Sequence, residues 1–215
     1  MALFYLPKIK LGTELIFPAS VAWISFAGAF ILFATLGKIL KWSKKLTGCL
    51  ILTAGLGNTS FVGIPLVQAL FGNAGLETLV IVDLPGTFVV LSTLGIVVAT
   101  IYSRGSNNFG QIFKKVFTFP PFIAFLVGIT FTIFGWKMIS ELDEVFGKLA
   151  ATVSPLALVS VGYQLKFERK SKHWKFLFLG LGYQLMLFPA LIYFLFVIVF
   201  KQSGLAIQVC IVEAA

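Results

Sequence analysis

The residues best suited to do chemistry in this chain are Gly57-Asn58-Thr59-Ser60-Phe61-Val62-Gly63-Ile64-Pro65, set in the middle of an apolar run from about Leu46 to Phe71. Together with Gly55 they crowd weak helix formers into one membrane-length stretch, which predicts a discontinuous helix. In hydrocarbon every exposed backbone amide needs a partner, so non-helical backbone survives only where protein buries it or where it lines a watery cavity. A break at this depth therefore predicts a site. Unwinding at Asn58 frees backbone N–H and C=O groups, and two half-helix ends turn partial charges inward, an arrangement suited to an anion or a coupling ion at the midplane. Asn58 adds a neutral amide with both donors and acceptors. The bland reading is that the small residues only let helices pack closely, but an Asn, a Pro and three glycines exceed what packing requires. Asn58-Thr59-Ser60 also fits a glycosylation sequon, irrelevant inside a membrane, and no Lys follows the glycines as a phosphate loop demands.

Asp83 is the second candidate, a carboxylate about two turns inside the next apolar run. Intramembrane acids are costly and mark proton relays or ion ligands; the bland alternative is an acid that hydrates near the interface. Glu213, ten residues into the last apolar run, is a possible second acid whose depth the sequence leaves undefined. Pro155 predicts a kink, while Gln164 and Gln184 read as interhelical packing residues. His173 reads as a solvated loop residue, because no second His exists to build a metal site or relay. Cys49 and Cys210 have no metal-like spacing and read as buried small apolar residues. No nucleophile, metal cluster or acid–base group converges, so neither an enzyme nor a cofactor is expected.

The elements that position these residues follow from composition. Of 215 residues 59% are apolar and 12% charged, against about 45–50% and 25% in soluble domains. That excludes a water-soluble fold and predicts an all-α, polytopic helical membrane protein. Its first seven residues, Met1 to Pro7, have no basic segment and no uninterrupted apolar core, so they do not read as a signal peptide. Six full spans are expected, at about 17–37, 46–71, 76–102, 117–134, 145–165 and 176–200, with a partial seventh from Gly204. Lys137, Glu141, Asp143 and Glu144 read as a short connection. Trp42, Trp136 and Trp174 fall at span ends, as an aromatic belt would. Loops 38–45, 103–115 and 166–175 gather 12 Lys and Arg on one face. The positive-inside rule puts that face in the cytoplasm. The net charge of +9 is then an orientation signal, and nucleic acid is not an expected partner.

The stretch Gly55 to Gly72, the following Asp83, and Ser154-Pro-Leu-Ala-Leu-Val-Ser-Val-Gly-Tyr-Gln-Leu165 resemble the auxin efflux carrier family of secondary transporters, bacterial branch. The resemblance implies a ten-helix fold of two inverted five-helix repeats, each with one broken helix crossing at the substrate site. The six spans would be family helices three to eight. Residues 1–102 would be the remainder of the first repeat, with broken helix 46–71; 103–116 a cytoplasmic loop; and 117–215 the second repeat, ending at the start of helix nine. The family's crossover asparagine maps on Asn58; Gly57 stands where plant members carry proline, while Pro65 remains. On this mapping the chain is truncated at both ends and holds one crossover. Pro7 and Pro155 take similar places in the two repeats, which puts the second break just past the end.

The function this implies is gradient-linked transport of a small organic anion, such as a carboxylate or an auxin-like compound. Asn58, Gly57, Thr59, Ser60 and Pro65 would bind it, and Asp83 would carry a proton or ion. The implied partners are the anion, the lipid bilayer of the cell membrane, a proton or sodium ion, and a second copy in a homodimer. The alternative is a non-transporting fragment or subunit that needs a partner to complete the site.

Overall fold

The computed structural model describes residues 15–104, 116–136, 138–164 and 173–215, with the single positions 4, 110 and 114. Helix α1 (Ile16–Ile39) is apolar on all sides and, at 1.5 Å per residue, about 36 Å long, enough to cross a hydrocarbon core of about 30 Å. Pro18 sits in its first turn, where a missing N–H costs nothing. A short turn follows, and Ser43 caps α2 (Lys44–Gly55) by accepting the Leu46 N–H at 3.3 Å. The two helices pack side by side through small residues: a Cβ at Gly55 would stand 2.9 Å from the Cβ of Ala29.

Leu56 has extended backbone (φ −125°, ψ 110°) and ends α2. A wide π-type turn, Thr59–Gly63, then leads into α3 (Ile64–Ile81). Inside α3 the backbone departs from helix at Gly72 (φ 64°, ψ −157°), a conformation that essentially only glycine adopts. The chain reverses there. Two further wide turns, Val82–Phe88 and Leu91–Gly95, bring it to α4 (Ile96–Arg104), which returns against α2 with Tyr102 filling the space beside Gly48. Pro85 lies inside the first of these turns and donates no N–H, so the hydrogen-bond ladder widens around it. Thr87 Oγ1 donates to Val82 O at 3.4 Å.

Then come α5 (Pro120–Phe134), closed by left-handed Gly135 at φ 63°, and α6 (Ser140–Gln164). A last apolar stretch joins α7 (Trp174–Gly182), a wide turn Tyr183–Leu187, α8 (Phe188–Tyr193) and a wide turn Phe194–Val199. Helix α9 (Leu205–Glu213) follows. Among the described residues no strand occurs, and the fold is that of an all-α polytopic membrane protein. One core gathers Phe26, Phe33 and Ile51 with Tyr183, Phe188 and Ile192; a second joins Val67 and Leu79 to Phe122, Phe125 and Val209. Many large apolar side chains face outward, Ile39, Phe134 and Met186 among them, as suits a surface solvated by lipid.

Several expectations change. Cys49 is exposed, because it lies on the outer side of α2, whereas Cys210 is fully buried. Glu141, Asp143 and Glu144 belong to α6 and not to a connection. Acids are favoured in a first helical turn by the dipole, and Glu144 pairs with Lys148 one turn on at 2.6 Å. Pro155 lies inside helix α6, at an exposed position. Pro7, Lys137, most of loop 103–116 and the loop at 165–172 lie outside the described residues, as does the side chain of Gln164. The flanks of the three basic loops share one end of the bundle: Trp42 packs edge-on against Phe176 at 5.3 Å, and Tyr102 reaches the first turns of α2.

Candidate functional site

Helix α2 enters from the basic end and runs 12 residues, about 18 Å, before it breaks. The stretch Trp174–Val199 starts at the same end and crosses in 26 residues, so α9 enters from the opposite end and runs 9 residues, about 14 Å. Helix α9 thus lies against the turn that follows α2, between the two ends of the bundle. Glu213, the last residue of α9, thereby acquires the depth that the sequence left open.

Asn58 is the N-cap of the second half-helix. Its side-chain Oδ1 accepts the Phe61 N–H at 3.1 Å, and its backbone oxygen accepts from Val62 and Gly63 at 3.2 and 3.1 Å. These bonds satisfy donors that a helix start leaves orphaned, while the Asn58 side chain itself is exposed. The next two residues reach elsewhere. Thr59 Oγ1 and Ser60 Oγ both donate to Oδ1 of Asp83, at 2.5 and 2.6 Å. Asp83 is 6% exposed. The wide turn around Pro85 carries it to the break, 23 and 24 residues from its partners in sequence.

Glu213 comes from the other side. A Cβ built on Gly63 would lie 2.5 Å from both of its carboxylate oxygens, so only a glycine lets this carboxyl lie against the turn. Glu213 is 8% exposed, and its Oε1 has no hydrogen-bond partner among the described residues. Glu213 and Asp83 thus approach the same five-residue turn, Glu213 at Gly63 and Asp83 at Thr59 and Ser60. A cavity of about 10 Å³, room for one water, opens between the halves; Ser25, Gly57, Thr59, Thr87, Gln184 and Glu213 line it together with apolar side chains. No Lys, Arg or His is among its lining residues.

The sequence-predicted residues thus divide. Thr59, Ser60 and Asp83 are joined by hydrogen bonds; Gly57 and Thr59 line the cavity; Asn58 caps the helix beside it. Pro65 is exposed at the second position of α3 and does not line the cavity. Gln184, read from sequence as a packing residue, also lines the cavity, with Nε2 3.5 Å from the Cβ position of Gly57. Ser25 and Thr87 gave no signal, being single hydroxyls in long apolar runs. Tyr183 locks α1 to the later half of the chain by donating to Ser25 O at 2.7 Å. Among the described residues no group of three His, Cys, Asp or Glu gathers to hold a metal.

Comparison with known proteins gives a consistent picture. A family profile described as a membrane transport protein matches residues 8–215. An uncharacterized transporter of Methanocaldococcus jannaschii is 34% identical over 139 residues, 63% of this chain and 44% of that protein. An uncharacterized transporter of Methanothermobacter thermautotrophicus is 31% identical over 119 residues, 55% of this chain and 38% of that protein. The matched segments thus cover less than half the length of these relatives. Both are archaeal, whereas the sequence motifs resemble the bacterial branch. No solved structure matches the chain.

Proposed function

The chain belongs to the membrane transport protein family, that of the auxin efflux carriers, and we propose that it acts as a secondary active transporter of a small organic anion, such as a carboxylate or an auxin-like compound, bound at the broken helix. The observation that carries this reading is the mid-membrane break capped by Asn58. Its cap uses the amide oxygen, leaving the amide nitrogen as a donor for a carboxylate. The N-terminal end of the second half-helix adds the positive end of a dipole. Gly57, Thr59 and Ser60 complete the cradle, and Pro65 fixes the first turn of α3 at no cost in hydrogen bonds.

Asp83 supplies the coupling. An anion entering a poorly hydrated site beside a carboxylate is repelled strongly, and a proton or cation arriving with it removes that repulsion. In this reading residues 1–102 are the remainder of the first repeat and 117–215 the second repeat as far as the start of helix nine, and relative rocking of the two repeats exposes the break to either side. Loops 38–45, 103–115 and 166–175 face the cytoplasm of the cell carrying the protein in its plasma membrane.

The test is uptake into vesicles holding the full chain, with labelled mono- and dicarboxylates and indole-3-acetate offered under an imposed pH gradient. Accumulation of one anion that follows the gradient in the parent chain, and no longer follows it in Asp83→Asn, is the expected result. Accumulation that keeps its pH dependence in Asp83→Asn removes Asp83 from coupling, and no uptake of any anion by correctly inserted protein argues for a subunit completed by a partner.

A further inference from the structure

Two carboxyl side chains more than nine-tenths buried approach the turn Thr59–Gly63, one from each half of the chain, Asp83 through its hydrogen bonds with Thr59 and Ser60 and Glu213 against Gly63, and no Lys, Arg or His lines the small cavity beside Glu213. Their surroundings differ. Asp83 Oδ1 accepts hydrogen bonds from two hydroxyls, those of Thr59 and Ser60, and an acceptor supplied with two donors is adapted to the ionised form. Glu213 Oε1 has no donor among the described residues, although Gly63 lets its carboxyl lie against the turn that holds Asp83. Leaving a buried carboxylate oxygen unpaired is costly unless the group is neutral or transiently so. Two carboxylates lodged against one five-residue turn in a poorly hydrated site do not both stay ionised; one proton resolves the conflict, and the hydrogen bonds decide where it sits.

We infer that Asp83 and Glu213 form a two-carboxyl proton site across the two halves, in which Thr59 and Ser60 hold Asp83 as the fixed anion and Glu213 takes up and releases the proton. This rests on the transporter reading above and deepens it: the proton rides on α9, and Asp83 serves coupling as the fixed charge without which Glu213 no longer holds that proton at the working pH, so Asp83→Asn still uncouples uptake. The step is simple in its balance: one proton from water binds a Glu213 carboxylate oxygen, and the pair changes from two negative charges to one. A substrate anion then meets a site carrying one negative charge instead of two. Among the described residues, Cys210 stands one turn before Glu213 on α9, and the hydroxyl of Tyr183 is engaged with Ser25 O. The α1 and α8 residues lining the cavity, Val21, Ala22, Ser25 and Phe188, add no titratable group, and Glu77 on α3 is exposed.

Infrared difference spectra between high and low pH, taken on the full chain in sodium-free lipid vesicles, test this without any substrate. The expected result is a carboxylic-acid C=O band that is lost on raising pH, disappears in Glu213→Gln, and shifts its midpoint by about one pH unit or more in Asp83→Asn as the neighbouring charge is removed. The same band should be unchanged by added sodium. A band that survives in Glu213→Gln overturns the assignment, and a band abolished by sodium makes the pair a cation site instead. Should Glu213→Gln fail to fold, labelling of the parent chain by a hydrophobic carbodiimide gives the same reading. An adduct on Glu213 that falls as pH rises supports the site, and an adduct confined to Asp83 overturns it. Because neither measurement needs transport, a failure of the anion-uptake test leaves this result to stand or fall separately.

Discussion

Gly63→Ala is a change that backbone rules and side-chain packing judge oppositely. Gly63 has helical backbone (φ −61°, ψ −46°), so alanine fits without strain and, by restricting the unfolded chain, would stabilise by about 0.5–1 kcal/mol. The new Cβ, however, would lie 2.5 Å from both carboxylate oxygens of Glu213 and 2.9 Å from its Cδ. Ordinary contact begins at 3.4 Å, so the carboxyl must retreat by roughly 1 Å, and overpacking of this kind costs about 1–3 kcal/mol. The net expectation is a loss of about 1 kcal/mol. In a Glu213→Ala background the collision is gone and the same substitution should stabilise. Thermal unfolding of the four proteins in one detergent closes the double-mutant cycle, with an expected coupling of about 1–3 kcal/mol. If Gly63→Ala raises stability in the parent chain, or changes it equally in both backgrounds, Glu213 does not lie against the broken helix and the reasoning fails.

Other outcomes follow from the same geometry. Thr59→Val keeps the shape of a buried side chain but removes a donor to Asp83; a hydrogen bond to a charged group is worth about 1.5–3 kcal/mol, and the melting temperature should fall accordingly, whereas an unchanged melting temperature would mean that Thr59 does not hold Asp83. Gly72→Ala forces a Cβ into a glycine-only conformation and should destabilise by about 1–3 kcal/mol although nothing lies within 4 Å of the added atom; a neutral effect would show that the chain does not reverse there.

How much of this was legible in the sequence depends on whether a residue's role is local. The break was legible because Gly55, Gly57, Asn58 and Gly63 are weak helix formers in a stretch long enough to span, and local propensity alone condemns a continuous helix there. Asp83 stood out as an acid in an apolar run, although its partners Thr59 and Ser60 did not follow from spacing, since the wide turn at Pro85 sets its direction. Glu213 was visible as an acid but not as a neighbour of Asp83. Its place depends on how α9 lies against the turn that follows α2, which is decided by the close approach at Gly63. The lining role of Gln184 was hidden for the same reason, because an amide in a span reads equally as packing or as lining until the opposite wall is known. Cys49 was misplaced because an apolar run fixes membrane depth but not which side of the helix faces the protein. The acids at 141–144 were read as a loop because charge looks like solvent, while at a helix start it is stabilising.

The central claim is that a small organic anion binds at the amide of Asn58, and a pair of substitutions separates binding from capping. Asn58→Ser keeps a good N-cap oxygen and discards the amide, whereas Asn58→Ala discards both and should cost about 1 kcal/mol of stability. Equilibrium binding of the labelled anion found by the uptake screen, measured on the purified full chain, should be lost in both variants, with Asn58→Ser as stable as the parent. Retention of parental affinity by Asn58→Ser would show that Asn58 only caps the helix, and would contradict the assignment of the break as the substrate site.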